Sequence, residues 1–551
     1  MKVRFVMVIL IWLNLIVSAV LPVERGRAQE SVPHRQAPLF ENLGGYHHPI
    51  STRVAPAQRY FDQGMVLSFA FNHAEAIRSF REAARLDPAC AMCYWGVALA
   101  LGPNINARMG DQAGRDAYQA VQQALQLAEQ APEAEQIYIR VLAVRYAAEP
   151  LPDRKALDLA YADAMRALAR RYPDDVDAAT LFAEALMDTT PWNYWTEDGK
   201  PGPVTSEVVS MIESVLSRAP NHALAIHLYI HAVEASPDPG RAEAPADRLV
   251  NLVPWAGHLV HMPAHIYLRV GRYHDASVVN EKAAAADESY LAQTHAQGLY
   301  PAAYYPHNIH FLWYASMMEG RSAVAIKAAR KLGAVVPFDQ VRAFRGMEQA
   351  LPVPLFTLAQ FRRWDEILAE PEPPADFVYY RAMWHYARGL AFSAKGGLDD
   401  AVQEKLRLGG LAGDPAVQSL ETATPPLPAL RLIEIARHVL AAEIAGRQGH
   451  QDEKVRELEA AVRVQDRLPY MEPPYWYYSV RQSLGAALLQ AGRAKDAEAV
   501  YREDLRRHPH SGWSLFGVAQ SLRAQGATKA AAKAQREFEA MWIRADIKLS
   551  D

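Results

Sequence analysis

The 551-residue chain predicts an all-α fold. Three observations carry that prediction. Alanine is abundant, and the Val-Ile-Thr alternation that marks half-buried strands is scarce. Small residues, aromatics and prolines recur at fixed intervals, as they do where one helical hairpin is stacked on the next. Histidines also fall three and four apart, the spacing that places side chains on one helix face.

The N-terminus begins with Lys2 and Arg4 and runs apolar from Phe5 to Leu21, with small residues at Gly26 and Ala28. This is the pattern of a secretory signal peptide over residues 1–28, giving a mature chain that starts near Gln29. An uncleaved membrane anchor is the competing reading, because the apolar run is long. Localisation is therefore expected to be exported, periplasmic or secreted, with membrane contact only through that segment. Residues 29–54 read as a polar N-terminal extension. Net charge is -4, from 58 basic and 62 acidic residues, and no basic run suggests nucleic acid as a partner.

The two cysteines sit together in "DPACAMCYWG". In an exported chain Cys90 and Cys93 could close a local disulfide or form a redox pair. The plainer reading, preferred here, is two small buried residues of a packed helix beside Tyr94 and Trp95. No second C-x-x-C completes a zinc site.

The stretch beginning at Ala57 places Gly64, Ala76, Phe80, Ala83 and Pro88 at positions 8, 20, 24, 27 and 32. Near the C-terminus, Gly485, Ala497, Tyr501 and Pro509 occupy positions 8, 20, 24 and 32. Small residues at 8 and 20 let two helices approach, and proline at 32 stops the second. Weaker copies begin at Val176, Ala223, Gly257, Pro306 and Ala382, and 112–131 with 133–148 form a degenerate pair. These residues resemble the tetratricopeptide repeat (TPR), and the chain is similar to exported bacterial TPR proteins. The resemblance implies a right-handed α-solenoid of helix-turn-helix repeats over 55–405, with a histidine-rich concave groove at 176–340. A linker-like loop at 406–430 and further repeats over 431–551 follow. Residues 189–207 and 287–305 are read as a loop and an insertion on that scaffold.

Ten of the 19 histidines lie between 222 and 310. On the family's pattern, positions 2, 5, 9, 12 and 13 of each first helix face the groove. His227, His231 and Glu234 fall there, as do His258, His261 and His265, then His307 and His310, then Glu184 and Asp188. Pro263 interrupts one of these helices and implies either a kink or a new start near Met262. Neutral imidazole is the commonest transition-metal ligand, and pairs at i, i+4 with a nearby carboxylate suit one ion. The expected cofactor is a transition metal: Zn or Cu most of all with N and O donors, Fe or Mn as further options. No H-E-x-x-H, G-x-S-x-G or P-loop names a reaction, so a metalloenzyme with Glu184 or Glu234 as base has no assigned substrate. The alternative is a metal-free adaptor that holds a peptide, protein or small molecule in the groove. Asp188, Trp192, Trp195 and Tyr314 would then line the ligand site.

Overall fold

The computed structural model describes residues 37–549 apart from 297 and 424, and the signal segment lies outside the described residues. Helix is the regular structure throughout, and the only strand-like pairing among the described residues is two isolated bridges, Asn104 with Ala107 and Trp195 with Pro201. No helix among these residues is long and apolar enough to cross a membrane. The chain forms two compact units. One comprises residues up to Ile266 together with Lys282–Tyr305; the other comprises Tyr267–Glu281 and Pro306 onward.

The first unit starts with α1 (Ala55–Phe69), α2 (His73–Leu86) and α3 (Ala91–Leu101), each packed on the next. Pro56 opens α1, where its missing N–H costs nothing. The repeat glycines are explained by one ring. A Cβ at Gly64 would lie 2.6 Å from the Phe80 ring, and a Cβ at Gly96 would lie 2.4 Å from it. Phe80 therefore fills the space that two glycines leave, and is fully buried. Helices α4 (Asp111–Leu127) and α5 (Glu133–Ala143) are the expected degenerate pair. They lead into α6 (Lys155–Arg171), α7 (Val176–Thr189), α8 (Thr205–Arg218) and α9 (Ala223–Val233). Asp175 caps α7 by accepting from the Ala178 amide, and His222 Nδ1 caps α9 by accepting from the Ala225 amide. After α10 (Glu243–Leu249), the chain makes α11 (Gly257–His261) and α12 (Pro263–Val270), then α13 (Tyr273–Thr294). Pro263 opens α12 as its first residue, and Met262 joins α11 to α12 with helical angles. Both sequence alternatives hold in part: the helix is broken at Pro263, and both arms are helical.

Cys90 and Cys93 are joined by a disulfide at the start of α3. The preferred reading of them as unlinked packing residues is therefore corrected, although both are buried as expected.

The N-terminal extension is docked along the first unit by polar contacts. Tyr60 OH donates to Ala37 O, the Phe40 amide to Gln63, the Ile50 amide to Gln58, and Ser51 to Glu135. His48 and His222 both reach Asp177, at 2.7 and 2.8 Å, and Tyr46 OH donates to the same carboxylate. Burial works against charge on His48, but its bond to Asp177 raises its pKa overall. Burial likewise opposes ionisation of Asp177, and the two imidazoles hold it below the usual carboxylate range.

The second unit contains α14 (Tyr305–Met318) from Pro306 on, α15 (Ser322–Val335), and four later helix pairs. They pair Val378–Lys395 with Leu398–Leu411, Ala429–Arg447 with Gln451–Gln465, Val480–Gln490 with Ala494–Arg507, and Gly512–Ala524 with Thr528–Trp542. The stretch 406–430 is not an open linker: the Leu398–Leu411 helix runs into it and Pro415–Glu421 adds another helix. Val417, Leu420 and Leu427 are fully buried there, which anchors a segment expected to be a linker-like loop.

Candidate metal centre

Helix α9 carries His227, His231 and, just past its end, Glu234. Helix α11 carries His258 and His261, and α12 carries His265. All five imidazoles are buried, none more than 3% exposed. They are not the walls of an open groove. Every residue of α9 is buried. Phe71, in a left-handed turn at φ 57°, stacks on His258 and lies against His227, with ring centres 5.3 and 4.6 Å apart. Trp192 stands edge-on to His231 at 4.9 Å, and Tyr304 lies 4.7 Å from His258. Segments outside the repeat pattern thus roof the cluster: the α1–α2 turn, the loop after α7, and a π-helix at Tyr300–Tyr304.

Hydrogen bonds fix the tautomers. His227 Nδ1 donates to Phe69 O at 2.7 Å. His231 Nδ1 donates to Glu234 Oε1 at 2.8 Å, and His265 Nδ1 donates to Glu234 Oε2 at 2.6 Å. A neutral imidazole has one N–H and one lone pair, so in the neutral form these three rings each carry their lone pair on Nε2. His258 Nε2 lies 3.2 Å from His227 Nε2, and His261 Nε2 lies 2.9 Å from His265 Nε2. Both separations are within hydrogen-bond distance. His231 Nε2 is buried and has no hydrogen-bond partner. Its lone pair is therefore left unmatched.

Burial is the main reason His227 is held well below the ordinary imidazole pKa, with the charge of neighbouring imidazoles adding to it. Burial also lowers His231, against the pull of Glu234. For Glu234, burial favours the neutral acid, but His265 and His231 outweigh it and keep the carboxylate ionised. His227 and His231 are thus held neutral beside an ionised carboxylate, the protonation state a metal needs of its ligands. The ligand atoms of His227, His231 and His258 all lie within 4.8 Å of one another.

No protein-family model matches the chain, and no curated protein matches it. Solved structures do. The human IFIT1 dimer with m7Gppp-AAAA is 11% identical, with 89% of this chain and 91% of that one covered at a TM-score of 0.31. The P58(IPK) TPR domain is 12% identical, with 86% and 99% covered at a TM-score of 0.23. At these scores the likeness carries no argument, and the helical-repeat fold stands on the chain's own helix pairs.

The structure gathers His227, His231, His258, His261, His265 and Glu234 from the sequence candidates. Both Glu234 oxygens accept from imidazole N–H groups, so it orients ligands from behind. Glu184 and Asp188 belong elsewhere, around Arg145: Asp188 bonds Arg145 at 2.6 Å. Burial lifts the Glu184 carboxyl to about 7 despite Arg145. His307, His310 and Tyr314 lie in the second unit. There His307 is edge-on to Phe311, His310 stacks on Trp313, and burial lowers His310 to about 3. Trp192 and Trp195 are internal contacts and not open ligand anchors: Trp192 Nε1 donates to Asn106 and Trp195 Nε1 to Ala232 O. Phe71, His73 and Asn106 were missed as neighbours of the site. His73 stacks on Phe71, and Asn106 donates to Tyr304 OH. No periodic signal marks them, because each approaches from a turn, a helix start or a loop.

Proposed function

We propose that this is an exported helical-repeat protein that binds a first-row transition metal through His227, His231 and His258, with Glu234 orienting His231 from behind. One observation carries the reading: a buried Nε2 lone pair on His231, with no hydrogen-bond partner, beside two more imidazole nitrogens within 4.8 Å. A buried acceptor left unmatched costs stability, and a cation matches it. Three imidazoles with one position left for water or a ligand suit Zn or Cu(II) more than Fe or Mn. The Glu234–His231 pair is the carboxylate–histidine support that raises ligand basicity. The Cys90–Cys93 disulfide supports an oxidising compartment and, with the N-terminal apolar run, export.

The test is metal content of the full chain purified from its native compartment, with melting curves before and after chelation. The expected result is stoichiometric metal and a fall in Tm on chelation, reversed by adding metal. Protein that carries no metal, binds none below micromolar concentration and melts identically with chelator overturns the proposal.

A further inference from the structure

Two of the five imidazoles are left over from the three-histidine site, and they form a pair of their own. His261 Nε2 and His265 Nε2 are 2.9 Å apart and fully enclosed. Two nitrogens bound to one ion at about 2.0–2.1 Å stand about 2.9 Å apart at a right angle and about 3.3 Å apart at the tetrahedral angle. The His227–His258 separation of 3.2 Å and the His261–His265 separation of 2.9 Å both fall on that scale.

The arrangement behind the rings is shared. Glu234 accepts from His231 Nδ1 with one oxygen and from His265 Nδ1 with the other. One carboxylate therefore leaves Nε2 as the lone-pair nitrogen of one ring in each set. His231 and His265 have ring centres 5.5 Å apart, and His258 and His261 have theirs 5.8 Å apart, so the two sets run side by side. The break at Pro263 produces this. It separates His261 and His265 onto two helical arms and still brings their Nε2 atoms together.

Resting on the proposed function above, we infer that the cluster holds two transition-metal ions: one on His227, His231 and His258, and a second on His261 and His265, with Glu234 as the common support. The second ion has two protein ligands in this unit. It enters against the charge of the first, so it binds more weakly.

The experiment titrates the chelator-stripped full chain with Co(II), following ligand-field absorption and metal retained after desalting. Wild type is expected to fill in two steps and to hold two equivalents. His261→Gln is expected to hold one and to lose the weaker step, while His227→Gln weakens the tighter step at least tenfold. A wild type that saturates at one equivalent overturns the second ion and leaves the first site standing. A wild type that binds none overturns both readings. A His261→Gln protein that still holds two equivalents also overturns the second ion. The wild-type curve needs no variant, so loss of folding in either substitution does not blunt the test.

Discussion

The C-terminal hairpins and the histidine region are built from the same repeat, and they use it in opposite ways. Around Tyr501, a Cβ at Gly485 would come within 2.4 Å of the ring and one at Gly517 within 2.2 Å. This is the Gly64–Phe80–Gly96 arrangement again: two glycines and one aromatic ring in van der Waals contact. In the Val480–Gln490 helix, six residues are buried and the rest reach solvent. In α9 all 11 residues are buried, including His227 and His231. Repeat packing thus explains one face of a helix. When a second face is also covered, polar groups on it must find partners inside the protein, and here they find each other and Glu234.

Breaking the packing half of this comparison should have the largest effect. Phe80→Ala empties the space between Gly64 and Gly96 and is expected to cost about 3–5 kcal/mol in denaturant unfolding of the chain. Gly517→Val drives methyl groups into Tyr501 and should cost about 1–3 kcal/mol or more, since the ring has little room to move. A loss under half a kcal/mol for either would mean that the repeat contacts are not tight.

Breaking the polar half should spare the fold more and the metal less. Glu234→Gln removes the negative charge behind His231 and His265 and leaves one acceptor for two N–H donors. Metal affinity by competition with a chromophoric chelator is expected to fall about 10–100-fold. Unchanged affinity would remove Glu234 from the support of the site. Tyr304→Phe is milder. It deletes the hydroxyl that accepts from Asn106, for an expected loss of about 1 kcal/mol in the thermal melt.

The smallest expected effect sharpens a further contrast, between the buried cluster and the docked N-terminal extension. His48 lies against Asp177, Asp62 and Asp175, with Tyr138 and Phe61 beside its ring. Its raised pKa means that its stabilising charge is fully present below about 6.5 and is lost as pH rises through the folded value. The depressed Asp177 contributes above about 3.8 and is lost only as pH falls below that. Docking of residues 37–54 should therefore be firmest between about pH 4 and 6.5 and loosen towards pH 8.5. Amide exchange across these residues at pH 6 and 8.5, corrected for the intrinsic rate, measures this. His48→Gln should flatten the difference.

Residue spacing was enough to read the helix pairs, the tight glycine–aromatic contacts and five of the histidines that cluster. These are local: a small residue at one repeat position and a ring at another meet because helix periodicity leaves them no other place. Spacing three and four apart likewise put His227 with His231, and His261 with His265, on common faces. The same reasoning sent Glu184 and Asp188 to the cluster, where they are not. A helix face says which way a side chain points, and Arg145, just past the end of α5, claimed Asp188 as its ion-pair partner. Closure of the expected groove face was not legible from spacing. The covering residues, Phe71, Trp192 and Tyr304, come from turns and an insertion with no repeat position, and their approach depends on backbone paths such as the left-handed angle at Phe71. Only the folded chain, too, turned Glu234 from an expected ligand into the group behind two ligands, because a carboxylate with two imidazole N–H neighbours spends both of its oxygens on them.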